Sequence, residues 1–159
     1  MKELDIAQLM VVCTESNCRS GKEVYPEFSE NERVIQAEQD FYAGLSAFFA
    51  DPDAFYAVWL CDGCYASALR IERYRDGYLM AGLETAPGMR RKGNAGKLIN
   101  AVIDYLSSQG SLRLYSHVDK KNIASIGVHN ACGFKRILEH AVFLDGSVLN
   151  TSCTFCFTL

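Results

Sequence analysis

The clearest pattern of apolar and polar positions lies in the middle of the chain. Phe55 to Cys61 reads Phe-Tyr-Ala-Val-Trp-Leu-Cys, apolar on both faces, as a central strand covered by helices on either side would read. Asp62-Gly63 is a strong hairpin-turn signal and predicts a return strand from Cys64 to Tyr74. A second turn at Asp76-Gly77 leads into Tyr78 to Thr85, which completes an antiparallel meander. Gly82 interrupts that last strand near its end, where a glycine marks a bulge or a close backbone approach. Such a bulge would splay the strand from its neighbour and leave backbone groups unpaired.

Upstream, Ser29 followed by Glu32 forms a capping-box start, and Val34, Ala37, Phe41, Leu45 and Phe48 give the buried face of a helix to about Ala50. Asp51-Pro52-Asp53 stops it. Residues 3 to 16 place Leu4, Leu9, Val12 and Cys13 at spacings that suit a short helix better than a strand, with a strand from Asp5 to Val12 as the alternative. Cys18 to Phe28 is polar and turn-rich and reads as a loop.

Downstream, Ala95, Leu98, Ile99, Val102 and Leu106 form one face of a helix that Gly110 stops. Leu112, Leu114, Ser116 and Val118 alternate as a strand, and Asn122 caps a helix ending at Gly133. Phe134 to Asp145 and Val148 to Leu159 then predict a closing hairpin around Asp145-Gly146, a plausible homodimer surface.

Composition narrows the class. A chain of 159 residues with 49% apolar content suits one globular domain, 1–159, with a single core. The opening Met-Lys-Glu-Leu-Asp carries acids where a secretory leader needs a positive start, and no stretch approaches the roughly 20 apolar residues of a membrane span. The expectation is a soluble cytoplasmic protein without a membrane partner. A formal net charge of −3 argues against a nucleic-acid partner. Seven cysteines include two Cys-x-x-Cys pairs, which raises zinc. Cys153 and Cys156 point to opposite faces of an alternating strand, while Cys61 and Cys64 face each other across a hairpin. They read as small, reduced, buried hydrophobes, and no metal site is expected.

The chemistry concentrates between Leu83 and Leu98, read as a strand end, a basic glycine-rich loop and the first turn of a helix. Gly93, Ala95 and Gly96 let a ligand approach the backbone, and first-turn amides with the helix dipole make an anion site. Arg90, Arg91, Lys92 and Lys97 add cations suited to a pyrophosphate. The ATP-type phosphate loop fails because Asn94 stands where Lys is required and Leu98 follows Lys97 in place of a hydroxyl. That also removes a nucleotide phosphatase. Gly-x-Gly-x-x-Gly is absent as well. The pattern that fits is Arg/Gln-x-x-Gly-x-Gly/Ala, here Arg90-Arg91-Lys92-Gly93-Asn94-Ala95.

With this loop, the following strand Ser111 to Val118, then Asn122-Ile123-Ala124-Ser125 and Cys132-Gly133-Phe134-Lys135, the chain resembles the GNAT superfamily of acetyl-CoA-dependent N-acetyltransferases over Ala54 to Leu159. The resemblance implies an α/β (α+β) fold. Its mixed, mostly antiparallel sheet of six to seven strands carries helices on both faces and is splayed between the fourth and fifth strands. Family members usually open with a strand, which residues 3 to 16 do not suggest. The resemblance also implies acetyl-CoA as cosubstrate. Its pyrophosphate would lie on residues 90 to 97, its pantetheine arm against Leu83 and Thr85, and Asn122 would meet the arm or the loop unless it serves only as a helix cap. Tyr25, Phe28, Tyr42 and Phe49 are candidate acceptor-pocket walls or plain packing.

Acetyl transfer to an amine needs an uncharged nucleophile, a polarised carbonyl and a proton for the leaving thiolate. Backbone N–H groups near the bulge can polarise the carbonyl. The family often supplies the proton from a Tyr four residues before the Gly of the Gly-Phe pair, and that position is His129 here. Histidine can serve as an acid near neutrality, or it can be a polar residue on the helix's exposed side. Tyr115 and His117 are fallback donors. Glu84 is the candidate base, acting through water, or else a solvated strand-end acid. The function implied is transfer of acetyl from acetyl-CoA to a primary amine of a small molecule or protein in a ternary complex. Loss of the usual Tyr keeps a second possibility open, an acyl-CoA-binding sensor or interaction module.

Overall fold

The computed structural model describes residues 4–110 and 113–158. Residue 3 of the first predicted helix, Ser111 and Leu112 of the predicted strand, and Leu159 lie outside the described residues. The chain opens with α1 (Ile6–Val24) and α2 (Glu30–Phe48), followed by the meander β1 (Phe55–Cys61), β2 (Cys64–Tyr74) and β3 (Gly77–Thr85). Helix α3 (Asn94–Ser108), β4 (Arg113–Asp119), α4 (Ile123–Ala131) and β5 (Lys135–Leu138) come next. A short hairpin of β6 (Ala141–Val142) and β7 (Val148–Leu149) precedes β8 (Ser152–Thr158).

Six strands form one mixed, mostly antiparallel sheet in the order β1-β2-β3-β4-β8-β5, with β3 and β4 parallel. One face packs under α3. Its Leu98, Ile99, Val102 and Leu106 join Leu69, Ile71, Met80, Leu114, Val118, Phe134 and Phe155 in the main core. Burying each large apolar side chain contributes roughly 1.5–3 kcal/mol. On the opposite face, Leu9, Val12 and Cys13 of α1 and Leu45 of α2 pack with Ala68 and Ala86.

Four expectations change. Residues 18–24 are helical, because α1 runs unbroken to Val24. A surface helix needs only one narrow apolar stripe, so a polar run without proline continues it. Gly21 keeps α1 close to α2, since a Cβ there would stand 2.8 Å from the Arg33 carbonyl oxygen. The helix expected over residues 3 to 16 forms and the alternative strand does not, so the splay, expected between the fourth and fifth strands, falls between β3 and β4 when strands are counted from the start of this chain. Strand β1 is an edge strand rather than a central one. It is covered on both faces by the two clusters, and that cover, not its place in the order, makes it apolar throughout. The closing hairpin is divided: β5 pairs with β8, while β6 pairs with β7 in a separate two-stranded sheet.

The capping box forms as expected, with Ser29 and Glu32 bonding each other's backbone amides. The cysteines differ from one another. Cys153 and Cys156 are buried on opposite sides of β8, in separate clusters. Cys61 and Cys64 are register partners, but Cys64 is exposed and Cys61 only half-buried, so the reading of buried hydrophobes fails for this pair.

Candidate active site

Strands β3 and β4 meet only at their first residues, where Tyr78, Leu79 and Met80 pair with Leu114, Tyr115 and Ser116. At this closed end Gly77 lies against β4 so tightly that a Cβ would stand 2.2 Å from the Arg113 carbonyl oxygen. Beyond Met80 the strands part and form a wedge. On the other side of β3 the pairing with β2 slips: Arg70 opposes Ala81, but Ala68 opposes Glu84. The extra residue sits at Gly82, whose φ of 59° suits glycine. The bulge anticipated at Gly82 is therefore present.

Past Thr85 the chain turns through Pro87–Met89 and enters α3 by way of two left-handed residues, Arg91 (φ 58°) and Gly93 (φ 77°). Gly93 occupies the N-cap position, and no side chain among the described residues caps the helix. The amides of Asn94, Ala95 and Gly96 consequently find no acceptor among the described residues, as the first turn of a helix dictates. The buried Asn94 side chain donates to the Met89 carbonyl at 2.9 Å and fixes the loop against the helix.

A cavity of about 670 Å³ joins this helix start to the wedge. Its wall includes Leu83, Glu84, Thr85, Arg90, Arg91, Gly93, Asn94, Ala95, Gly96 and Asn122, all singled out by the sequence. Asn122 caps α4 by accepting from the Ser125 amide at 3.0 Å. The Thr85 hydroxyl pairs with Ser67 at 2.7 Å. Lys92 and Lys97 are not in the wall: Lys92 donates to the Gly88 carbonyl, and Lys97 lies over the Trp59 ring.

Sequence reasoning missed Glu15 and Arg19 of α1, and Met89, Ala124, Ser125 and Val128. Glu15 and Arg19 stand four apart on a helix, so they share a face, a signal hidden by reading 18 to 28 as loop. Glu15 accepts two hydrogen bonds from Arg90, at 3.1 and 2.8 Å, and Arg90 Nε also donates to the Thr85 carbonyl at 3.1 Å. Burial pushes the Glu84 carboxyl up from its ordinary range, opposed by a hydrogen bond from Ser16 and by the charges of Arg19 and Arg90.

His129, Tyr115 and His117 do not line the cavity. His129 is 1% exposed, which removes the alternative of a polar residue on the helix's outer side. Its Nδ1–H donates to the Ser125 carbonyl at 2.7 Å, leaving Nε2 to accept from the Ser116 hydroxyl at 2.9 Å. Burial holds this imidazole below its usual pKa and therefore neutral. The Tyr115 hydroxyl donates to Asp76 at 2.7 Å in a small cluster with Tyr74 and Leu79. Tyr25, Phe28, Tyr42 and Phe49 also stand outside the wall.

A splayed pair of strands feeding a basic loop and an uncapped helix is the arrangement that the family resemblance implied. The family model described as the acetyltransferase (GNAT) family matches residues 21–134. The chain belongs to the GNAT acetyltransferase family.

No curated protein matches the sequence of this acetyltransferase. Solved structures share its fold. The ribosomal-protein-alanine N-acetyltransferase from Brucella melitensis is 16% identical with a TM-score of 0.68, covering 99% of this chain and 98% of that one. The PaiA N-acetyltransferase from Thermoplasma acidophilum, in complex with coenzyme A, is 13% identical with a TM-score of 0.67, covering 99% and 97%. A microcin self-immunity acetyltransferase, MccE, in complex with acetyl-CoA and AMP, is 17% identical with a TM-score of 0.62, covering 96% and 86%. No described helix of this acetyltransferase is long and apolar enough to cross a membrane.

Proposed function

We propose that this GNAT acetyltransferase carries an acetyl group from acetyl-CoA to a primary amine of a small molecule or protein, by direct attack in a ternary complex. The observation that carries the reading is the unpartnered row of amides at Asn94, Ala95 and Gly96, set at one end of a cavity that continues into the wedge. These donors, with Arg91 and the dipole of α3, suit a pyrophosphate. Leu83 and Thr85 lie on the edge of β3 that β4 leaves unpaired, where backbone groups other than the Thr85 carbonyl, which accepts from Arg90, can pair with an amide-bearing arm. Asn122 uses its oxygen as a cap and keeps its amide nitrogen for that arm. Arg90 reaches the phosphates only by leaving Glu15, and Lys92 and Lys97 contribute charge rather than contact.

The acceptor arrives as an ammonium and must lose a proton before it can attack. Glu84 lies in the cavity wall, and its raised pKa makes it a competent base for that proton through water. His129 enters as a positioning residue that fixes Ser125 and Ser116 on the α4 side of the wedge, and Tyr115 braces the closed end through Asp76. Calorimetry with coenzyme A and ATP tests the loop: coenzyme A should bind and ATP should bind more weakly. Thiol release from acetyl-CoA across a panel of amines tests transfer. Binding without release for every amine would favour a sensor module instead.

A further inference from the structure

His117 is the first residue of β4 beyond the last pair, Met80 with Ser116, so it stands where β3 and β4 begin to part. Leu114 and Val118 on the same strand point into the core under α3. Alternation therefore turns His117 to the opposite sheet face, the face that carries α1 and α2. There its ring is enclosed edge-on by Tyr74 at 5.5 Å and Phe143 at 5.2 Å. Both ring nitrogens are shut off from solvent and have no hydrogen-bond partner among the described residues. Leaving buried polar atoms unpaired is costly, so these nitrogens mark a place that takes up a water or a polar group of a ligand.

The cover over this ring is slight. Phe143 follows β6 in the two-stranded β6–β7 hairpin, and Phe143 and Leu144 are 40% and 69% exposed. The hairpin region is tied to the sheet by Tyr74, which donates to the Val142 carbonyl, and by Thr154, which donates to the His140 carbonyl at 2.7 Å. His117 is not in the cavity wall as it stands, and Phe143 is the partly exposed ring packed against it.

We propose that His117 is a catalytic base of the transfer, meeting the acceptor nitrogen at the apex of the wedge once the acceptor has displaced Phe143. The assignment rests on the acetyl-CoA reading above. The neutral amine's lone pair forms the C–N bond to the thioester carbonyl carbon, and the C–S bond breaks with its electrons on sulfur. The proton that the new amide nitrogen must shed passes to the imidazole, and the thiolate takes a proton from water. Glu84 and His117 thus handle successive protons, one before attack and one after it. Burial, and then the charge of Arg75, lower the His117 pKa and keep the ring in its accepting form. Its ionisable neighbours are Tyr74 and Arg75 at the end of β2 and Tyr115 on β4, while Thr154 across on β8 and Phe143 carry no charge.

The test compares wild type, His117→Ala and His117→Gln, with acetyl-CoA and the probe amines propylamine, lysine and alaninamide. The expected result is a fall in kcat of about 100-fold or more in both variants, the scale of a lost general base. The acid limb of the pH profile, which Glu84 and the amine's own ionisation also set, should persist, while added imidazole should restore turnover to His117→Ala and coenzyme A affinity should not change. Variants that keep the wild-type rate would overturn the assignment. So would a slow His117→Ala that imidazole does not rescue, and so would coenzyme A binding by wild type with no release to any probe. Failure of wild type to bind coenzyme A would instead overturn the function proposed above.

Discussion

Glu15 of α1 grips Arg90 of the glycine-rich loop through both terminal guanidinium nitrogens, at 3.1 and 2.8 Å, across 75 residues of chain. The helix that stands where relatives usually begin with a strand thus places a carboxylate on a cation of the candidate phosphate loop.

Removing that carboxylate should release Arg90 and subtract a negative charge beside the cavity. Both side chains are about half exposed, so the pair is worth little to the fold. Glu15→Gln is expected to tighten coenzyme A binding by about two- to fivefold at low salt, the range of an exposed ion pair. Calorimetry at two ionic strengths checks this, because the gain should shrink as salt screens it.

His129 should matter to stability more than to proton delivery. Its folded pKa lies below the ordinary 6.5, so between the two values the unfolded chain binds more protons than the folded one. Its contribution is present above about 6.5 and is lost as pH falls through the folded pKa. The lowered pKa of His117 acts in the same direction. Denaturant unfolding of wild type should show stability falling as the solution is acidified below that point. His129→Gln should start less stable by about 1–3 kcal/mol, from unpaired buried groups, and should show a shallower acid slope.

Gly77 sets the closed end of the wedge. Gly77→Ala drives a methyl into the Arg113 carbonyl and is expected to cost about 1–3 kcal/mol, as overpacking does. Gly44→Ala is the control: it lies within α2 with open space around it, and should gain up to about 1 kcal/mol from helix propensity. Thermal unfolding should shift in opposite directions for the two variants.

The thiols should react in a fixed order. The Cys13 thiol is pushed up to about 12, by burial and then by the charge of Glu84. Burial raises Cys132 as well. A short maleimide pulse on the native protein at mild alkaline pH should label Cys64 first and leave Cys13 untouched until the chain is unfolded. Peptide mapping reads the order directly.

Much of the site could be read from local residues. The left-handed entry at Gly93, the bulge at Gly82 and the cap at Asn122 each follow from what one residue type can do in its own backbone position. Spacing also identified His129 as the residue standing where a Tyr was expected. It could not tell that the ring is enclosed between Ser125 and Ser116, because those partners lie on two different elements. Nor could apolar runs rank the strands: β1 looks central because both its faces are covered, yet it lies at the edge of the sheet.

The sequence by itself determined the order of elements from Phe55 to Ala131, the basic loop with its helix start, and the family. Those properties depend on periodicity, turn chemistry and short spacings, which act over a few residues. Only the tertiary structure decided that α1 supplies Glu15 and Arg19 to the cavity, that Lys92 and Lys97 stand outside it, and that His117 faces the parting of two strands with no hydrogen-bond partner among the described residues. The reason is that side chains far apart along the chain meet only after the sheet twists and the helices pack. Their neighbours, and so their charge and hydrogen bonding, belong to the assembled fold.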